Sequence, residues 1–233
     1  MNQNIGGLPR ISSKKTATPR IIFRDGEFTG YRSGGAVIGS LSRDPGNTGD
    51  TNVLRCGLVM GKQTSDGKYY PSIFGVTSGA YAAGATTISV SAAAALAIST
   101  RLGASGVLHV VGPPAASGIV AEEDITYSAI NTSTGDITIT ALLNSYIAGA
   151  FIQPQDGSED VITVVPDGYG INVFDTDGAT AIDQPFYALP MAGVITAANL
   201  LPAWPSDASL RDWLISALDG RHGGGKFIVD TRF

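Results

Sequence analysis

A chain of 233 residues, 43% of them hydrophobic, can bury a real core, which excludes a wholly disordered protein. Charged residues make up only 15%, against about a quarter in ordinary soluble domains, while glycine is abundant at 30 residues and serine and threonine recur throughout. That mixture suits mainly β extracellular or virion proteins better than cytosolic enzymes, and the net charge of −5 argues against nucleic acid as a partner.

The charge is unevenly placed. Residues 1–20 carry Arg10, Lys14, Lys15 and Arg20 and no acid, so the remainder has a net charge of −9 (−5 minus +4). A basic segment on an acidic body points to contact with an acidic surface; the plainer reading is a solvated terminus. Residues 1–50 read as an extended arm, because Gly and Pro interrupt every longer pattern, and the one strand-forming run is Arg20–Arg24, with Ile21, Ile22 and Phe23. Residues 44–51 (DPGNTGDT) read as a linker. Residues 53–76 read as a hairpin: Val53, Leu54 and Leu58–Met60, an Asp66-Gly67 turn, then Tyr69, Tyr70, Ile73 and Phe74.

Residues 77–153 hold only Arg101, Glu122, Glu123, Asp124 and Asp136 as charged residues, and read as an inserted α+β unit. Strands are expected at Thr86–Val90 and Val107–Val111. Between them Ser91–Leu102 reads as a helix ended by Gly103, and a hairpin joins Ile125–Ala129 to Asp136–Thr140. Residues 154–233 return to short strands between Asp-Gly turns, with Val161–Val165 as a buried strand. A helix capped by Ser206 follows, with Leu210, Trp213, Leu214, Ala217 and Leu218 on one face and Gly220 ending it, and Lys226–Val229 forms a closing strand. The division is therefore an arm (1–50), a core (51–76 with 154–233) and an insertion (77–153).

Little in the sequence supports chemistry. Cys56, His109 and His222 could sketch a thiol pair or a metal site, but neither C-x-x-C nor H-x-x-x-H spacing is present, and His109 inside an apolar strand reads as a core or interface residue. No G-x-S-x-G elbow occurs, and Gly34–Ser40 has the glycines of a phosphate loop without its lysine. Asp175, Asp177 and Asp183 lack the distant Glu of a calcium loop and read as turn residues. Glu122–Asp124 read as a solvated loop. No cofactor or metal is expected, and the reading is of a non-enzyme. A single cysteine, no apolar leader and no stretch long enough to span a membrane fit a protein made in a reducing cytoplasm, with no membrane partner.

Three stretches resemble the lambda-type head decoration proteins of tailed bacteriophages. Leu54–Ile73 (LRCGLVMGKQTSDGKYYPSI) is similar to the opening of that family's core. Ala198–Leu218 (ANLLPAWPSDASLRDWLISAL) has an apolar segment ending in Trp204-Pro205, then a helix carrying Trp213. Lys226–Val229 matches a final strand, and Tyr127–Gly157 is similar to segments inserted in larger members. The resemblance implies a small β-barrel or β-tulip-like core, with Trp204, Pro205 and Trp213 as structural residues, and a homotrimer on the outer surface of the virion head. It further implies an arm that grips the major capsid protein, here Arg10, Lys14, Lys15, Arg20, Ile21, Ile22 and Phe23. The alternative reading is a tail-fibre or carbohydrate-recognition module, which needs exposed aromatics; Tyr69, Tyr70, Tyr81 and Trp204 are its candidates.

Overall fold

The computed structural model describes residue 23 and residues 30–112, 120–168, 170–175, 180–202, 205–220 and 226–231. Within them the chain is mainly β, with curled half-barrel sheets and two helices.

The five-stranded sheet grows from the first hairpin. β4 (Val59–Lys62) and β5 (Tyr69–Pro71) pair antiparallel, with Gly61 opposite Tyr70. Gly67 takes a φ of +70° in the turn, a conformation that favours glycine, and the Asp66 carboxylate accepts the Lys68 N–H. β12 (Thr163–Val164) lines the other side of β4, so the buried strand expected at 161–165 is only two residues long. β2 (Ala36–Ile38) and β14 (Gln184–Phe186) complete the order β12-β4-β5-β2-β14. β3 (Val53–Leu54) does not join this hairpin; it pairs with β13 (Ile171–Asn172).

The arm boundary at residue 50 needs correction. β1 (Gly30–Tyr31) pairs with β15 (Pro190–Thr196), β2 lies inside the five-stranded sheet, and Ile38, Ser42 and Asp44 are buried. Residues 30–50 are body, not arm. Their strands are too short to show a period in sequence, and their antiparallel partners lie some 150 residues away, at 184–192.

Residues 75–154 form a six-stranded sheet in the order β6-β11-β8-β9-β10-β7, built from β6 (Gly75–Val76), β7 (Thr87–Ser89), β8 (Gly106–Gly112), β9 (Ala121–Ile130), β10 (Asp136–Ile139) and β11 (Phe151–Pro154). The β9–β10 hairpin alternates buried and exposed residues, and the Asn131 carboxamide accepts the N–H groups of Ser133 and Thr134 in its turn. Helix α1 (Ala92–Leu102) starts where the Ser91 hydroxyl accepts the Ala94 N–H and ends at Gly103, as its sequence predicts. Its buried Ala94, Ala95, Ala97 and Ile98 pack with Leu108, Val110, Ile125 and Ile137.

The same sheet is covered on its other face. Along β11, Phe151 belongs to one core and Ile152 to the next; along β8, Val110 and Val111 divide in the same way. Helix α2 (Ala208–Leu218) supplies that second core with Leu210, Trp213, Leu214, Ala217 and Leu218, and the Trp213 ring lies 5.9 Å from Phe151. Its N-cap is Asp207, which accepts the Leu210 N–H, one residue beyond the expected Ser206. The chain then closes through β16 (Lys226–Asp230), parallel to β15 in the sheet β1-β15-β16. No helix of the described residues is long and apolar enough to cross a membrane.

Candidate functional site

Of the expected arm residues, Arg10, Lys14, Lys15, Arg20, Ile21 and Ile22 lie outside the described residues, while Phe23 lies within them. Phe23 is buried (7% exposed) in the core beneath α2. It bridges Ile195 of β15 antiparallel, its N–H donates to Asp167 Oδ1 at 3.2 Å, and its ring lies 6.4 Å from that of Phe227 on β16. Gly193 makes room for it: a Cβ there would stand 2.7 Å from the ring. The basic segment therefore ends, in sequence, at a side chain locked into the fold.

Near this anchor, β1 and β15 lead into a ribbon with exposed apolar groups. Tyr31 is 56% and Tyr187 63% exposed, and Val37 opposite Pro185 is also exposed. Sequence reasoning missed these exposed groups because their placement depends on pairing between distant segments. The tyrosines it offered for carbohydrate recognition are placed differently: Tyr69 and Tyr70 are buried, Tyr81 is half-buried, and Trp204 lies outside the described residues. Pro205 is half-buried, and Trp213 is in the core as expected.

Those polar residues weighed for chemistry that lie among the described residues are engaged in structural contacts. His109 does not sit in an apolar interior. On β8 its neighbours Leu108 and Val110 point into one core, and alternation sends the imidazole to the opposite face, where Nδ1 lies 2.7 Å from Asp124 and Nε2 3.4 Å from Glu122. Glu122 also accepts the Trp213 indole N–H at 2.8 Å, which ties the sheet to α2. Glu123 accepts the backbone N–H groups of Leu143 and Asn144. These three acids thus lie along the ten-residue β9 rather than in a solvated loop, because alternation gives each a partner that a local reading cannot supply.

Elsewhere, Arg55 clamps buried Asp44 through Nε and Nη2 at 2.6 and 2.9 Å. Gly34–Ser40 contains strand β2 rather than an open loop, and the Ser40 N–H donates to Asp183. Asp183 in turn pairs with Lys68 at 2.9 Å. Cys56 is buried with Sγ 3.0 Å from the Gly168 carbonyl, and His222 and Asp177 lie outside the described residues. Among the described residues, no group of three or more His, Cys, Asp and Glu side chains is placed to hold a metal ion.

A cleft of about 330 Å³ opens between the loop at Asp44–Gly46 and the start of the six-stranded sheet at Phe74–Val76; its floor is Leu58, Ile73 and Leu201. Its one strongly polar feature is the Asp44–Arg55 pair, which already satisfies itself. Comparison of the chain with protein-family models, with curated proteins and with solved structures finds no match in any of the three.

Proposed function

We propose that this protein is a structural component of a tailed-phage virion that binds the outer surface of the head and stabilises it. The observation that carries the reading is the anchorage of Phe23. The segment bearing Arg10, Lys14, Lys15 and Arg20 continues directly into a residue fixed between Ile195, Gly193 and Phe227. A load on the basic segment is therefore passed to the core. Strand addition by Ile21 and Ile22 at a sheet edge of the major capsid protein satisfies backbone groups without a preformed pocket, and the four cations match an acidic surface. Their share of the binding falls with salt. The exposed Tyr31 and Tyr187 supply further apolar contact. Assembly as a homotrimer multiplies each weak contact on the lattice.

Electron microscopy of virions labelled for this chain tests the proposal. Label over the head surface supports it; label confined to the tail favours the recognition-module reading, and virions that lack the protein overturn both.

A further inference from the structure

A row of four side chains joins the six-stranded sheet to helix α2. Strand register sets His109 opposite Asp124 and Gln153, and Val111 opposite Glu122 and Phe151. Directly opposed residues share a face, and Val111 and Phe151 belong to the core that α2 covers, so all six lie on the α2 side of the sheet. Along the row, Asp124 Oδ1 lies 2.7 Å from His109 Nδ1, and Glu122 Oε2 lies 3.4 Å from Nε2. Glu122 Oε1 accepts the Trp213 indole N–H at 2.8 Å. One carboxylate therefore meets the imidazole with one oxygen and the helix with the other.

The two charge states of the ring fit this row differently. A neutral imidazole has one N–H. Donated to Asp124, it leaves the Nε2 lone pair facing a carboxylate oxygen. The imidazolium donates at both nitrogens, one to each carboxylate. Groups on the surrounding elements have other partners. Gln153 on β11 donates Nε2 to the Ser72 and Glu159 carbonyls, and the Glu159 carboxylate accepts the Asp156 and Gly157 N–H groups. Arg211 and Asp212 lie off the buried face of α2.

We propose that His109 is a proton-operated latch between the six-stranded sheet and α2. The imidazolium holds Glu122 in place on Trp213, and the neutral ring releases it. The latch closes as pH falls through the imidazole range, about 6.5 for an ordinary histidine, and opens as pH rises through it. The core beneath α2 also contains Phe23, so the latch bears on the residue that anchors the basic segment.

The test reads solvent exchange of the Trp213 indole N–H by NMR on the full chain at pH 5.5 and pH 8, corrected for the intrinsic pH dependence of exchange. Trp213→Phe assigns the signal. In wild type, protection is expected to be about two- to fivefold greater at pH 5.5, the range of a partly exposed ion pair. His109→Gln leaves His222 in place and is expected to abolish the difference. Glu122→Gln keeps an amide oxygen for the indole but no charge, and is expected to retain protection that no longer changes with pH. Equal protection at both pH values in wild type overturns the inference. So does a His109→Gln chain that keeps the difference, or a wild-type change shared in full by the backbone amides of β8, which would report the whole fold rather than the latch.

Discussion

Arg101 and Asp156 join helix α1 to the loop after β11: the guanidinium Nη2 donates to both carboxylate oxygens, at 3.0 and 2.8 Å. The same guanidinium donates to the Pro71 carbonyl and the Ser158 hydroxyl and lies 4.3 Å over the Tyr70 ring. One cation thus connects the six-stranded sheet's helix with the five-stranded sheet. Burial lowers its pKa from the ordinary arginine value, and Asp156 offsets only part of that effect. Arg101→Met should cost about 3–5 kcal/mol, because it leaves Asp156 without its counter-charge. Asp156→Asn should cost at least as much, since it leaves the more deeply buried guanidinium of Arg101 without its counter-charge. Urea unfolding of both variants checks the order; equal stability to wild type would mean that the joint contributes nothing.

The Asp66–Lys68–Asp183 cluster should shape stability at both pH extremes. Partial burial pushes the Asp66 carboxyl up, but the Lys68 N–H, the Tyr70 hydroxyl and the Lys68 charge outweigh it, so it titrates below its ordinary value. Burial of Asp183 is likewise outweighed, by Lys68 and the Ser40 N–H. The hydrogen bond to Asp183 raises Lys68. The carboxylates' contribution is present above the unfolded pKa, about 4, and is lost as pH falls through the lower folded values. The lysine's is present below about 10.4 and is lost as pH rises through its raised folded value. Lys68→Met should flatten both arms of the stability–pH curve by no more than about 1 kcal/mol, since the groups are partly exposed. Denaturant midpoints from pH 3 to pH 11 provide the check.

Truncation separates arm from body at a different place from the one the glycines suggest. A chain beginning at Phe23 should fold and keep its melting temperature, yet lose affinity for heads. A chain beginning at Asp50 should unfold much more readily, because it lacks β1, β2 and the Asp44–Arg55 pair. Phe23→Ala in the full chain should cost about 3–5 kcal/mol. Should the Phe23 start bind heads as tightly as the full chain, the arm is not the anchor.

Gly61 offers a test of close backbone approach. A Cβ there would lie 2.1 Å from the Ser158 carbonyl oxygen and 2.4 Å from that of Asp160. Both are backbone atoms, so no side-chain rotation relieves the clash. Gly61→Ala should destabilise by about 1–3 kcal/mol or more, the usual range for overpacking, while Gly84→Ala, with open space around it but a positive φ, isolates the backbone cost of losing glycine. Thermal melts of the two variants distinguish the effects.

Elements with local signals were legible in the sequence. Ser91 and Gly103 bracket α1, Asp66-Gly67 closes one hairpin, and strict alternation marks β9 and β10. The helix face from Leu210 to Leu218 is the buried one. What escaped were strands of two or three residues whose stability comes from partners far along the chain, such as β2 against β14. No period can register in three residues. The placement of Glu122 and His109 escaped for a related reason: the partners that engage them, Trp213 and Asp124, come from α2 and a neighbouring strand, and composition alone describes them as loop and core. Of the proposed site, the run ending at Phe23 was visible as strand-forming sequence, but not the pocket that holds its ring.

That pocket has a kinetic consequence. Phe23 leaves the ribosome about 200 residues before Phe227, against which its ring packs. β15 meets β16 only after the crossover through α2. A nascent chain has no lodging for Phe23 until that last strand is synthesised, and contacts of such long sequence separation form slowly. The residue that follows the basic segment can be held at a fixed point only in chains translated through Asp230, so prematurely terminated products should lack this anchorage.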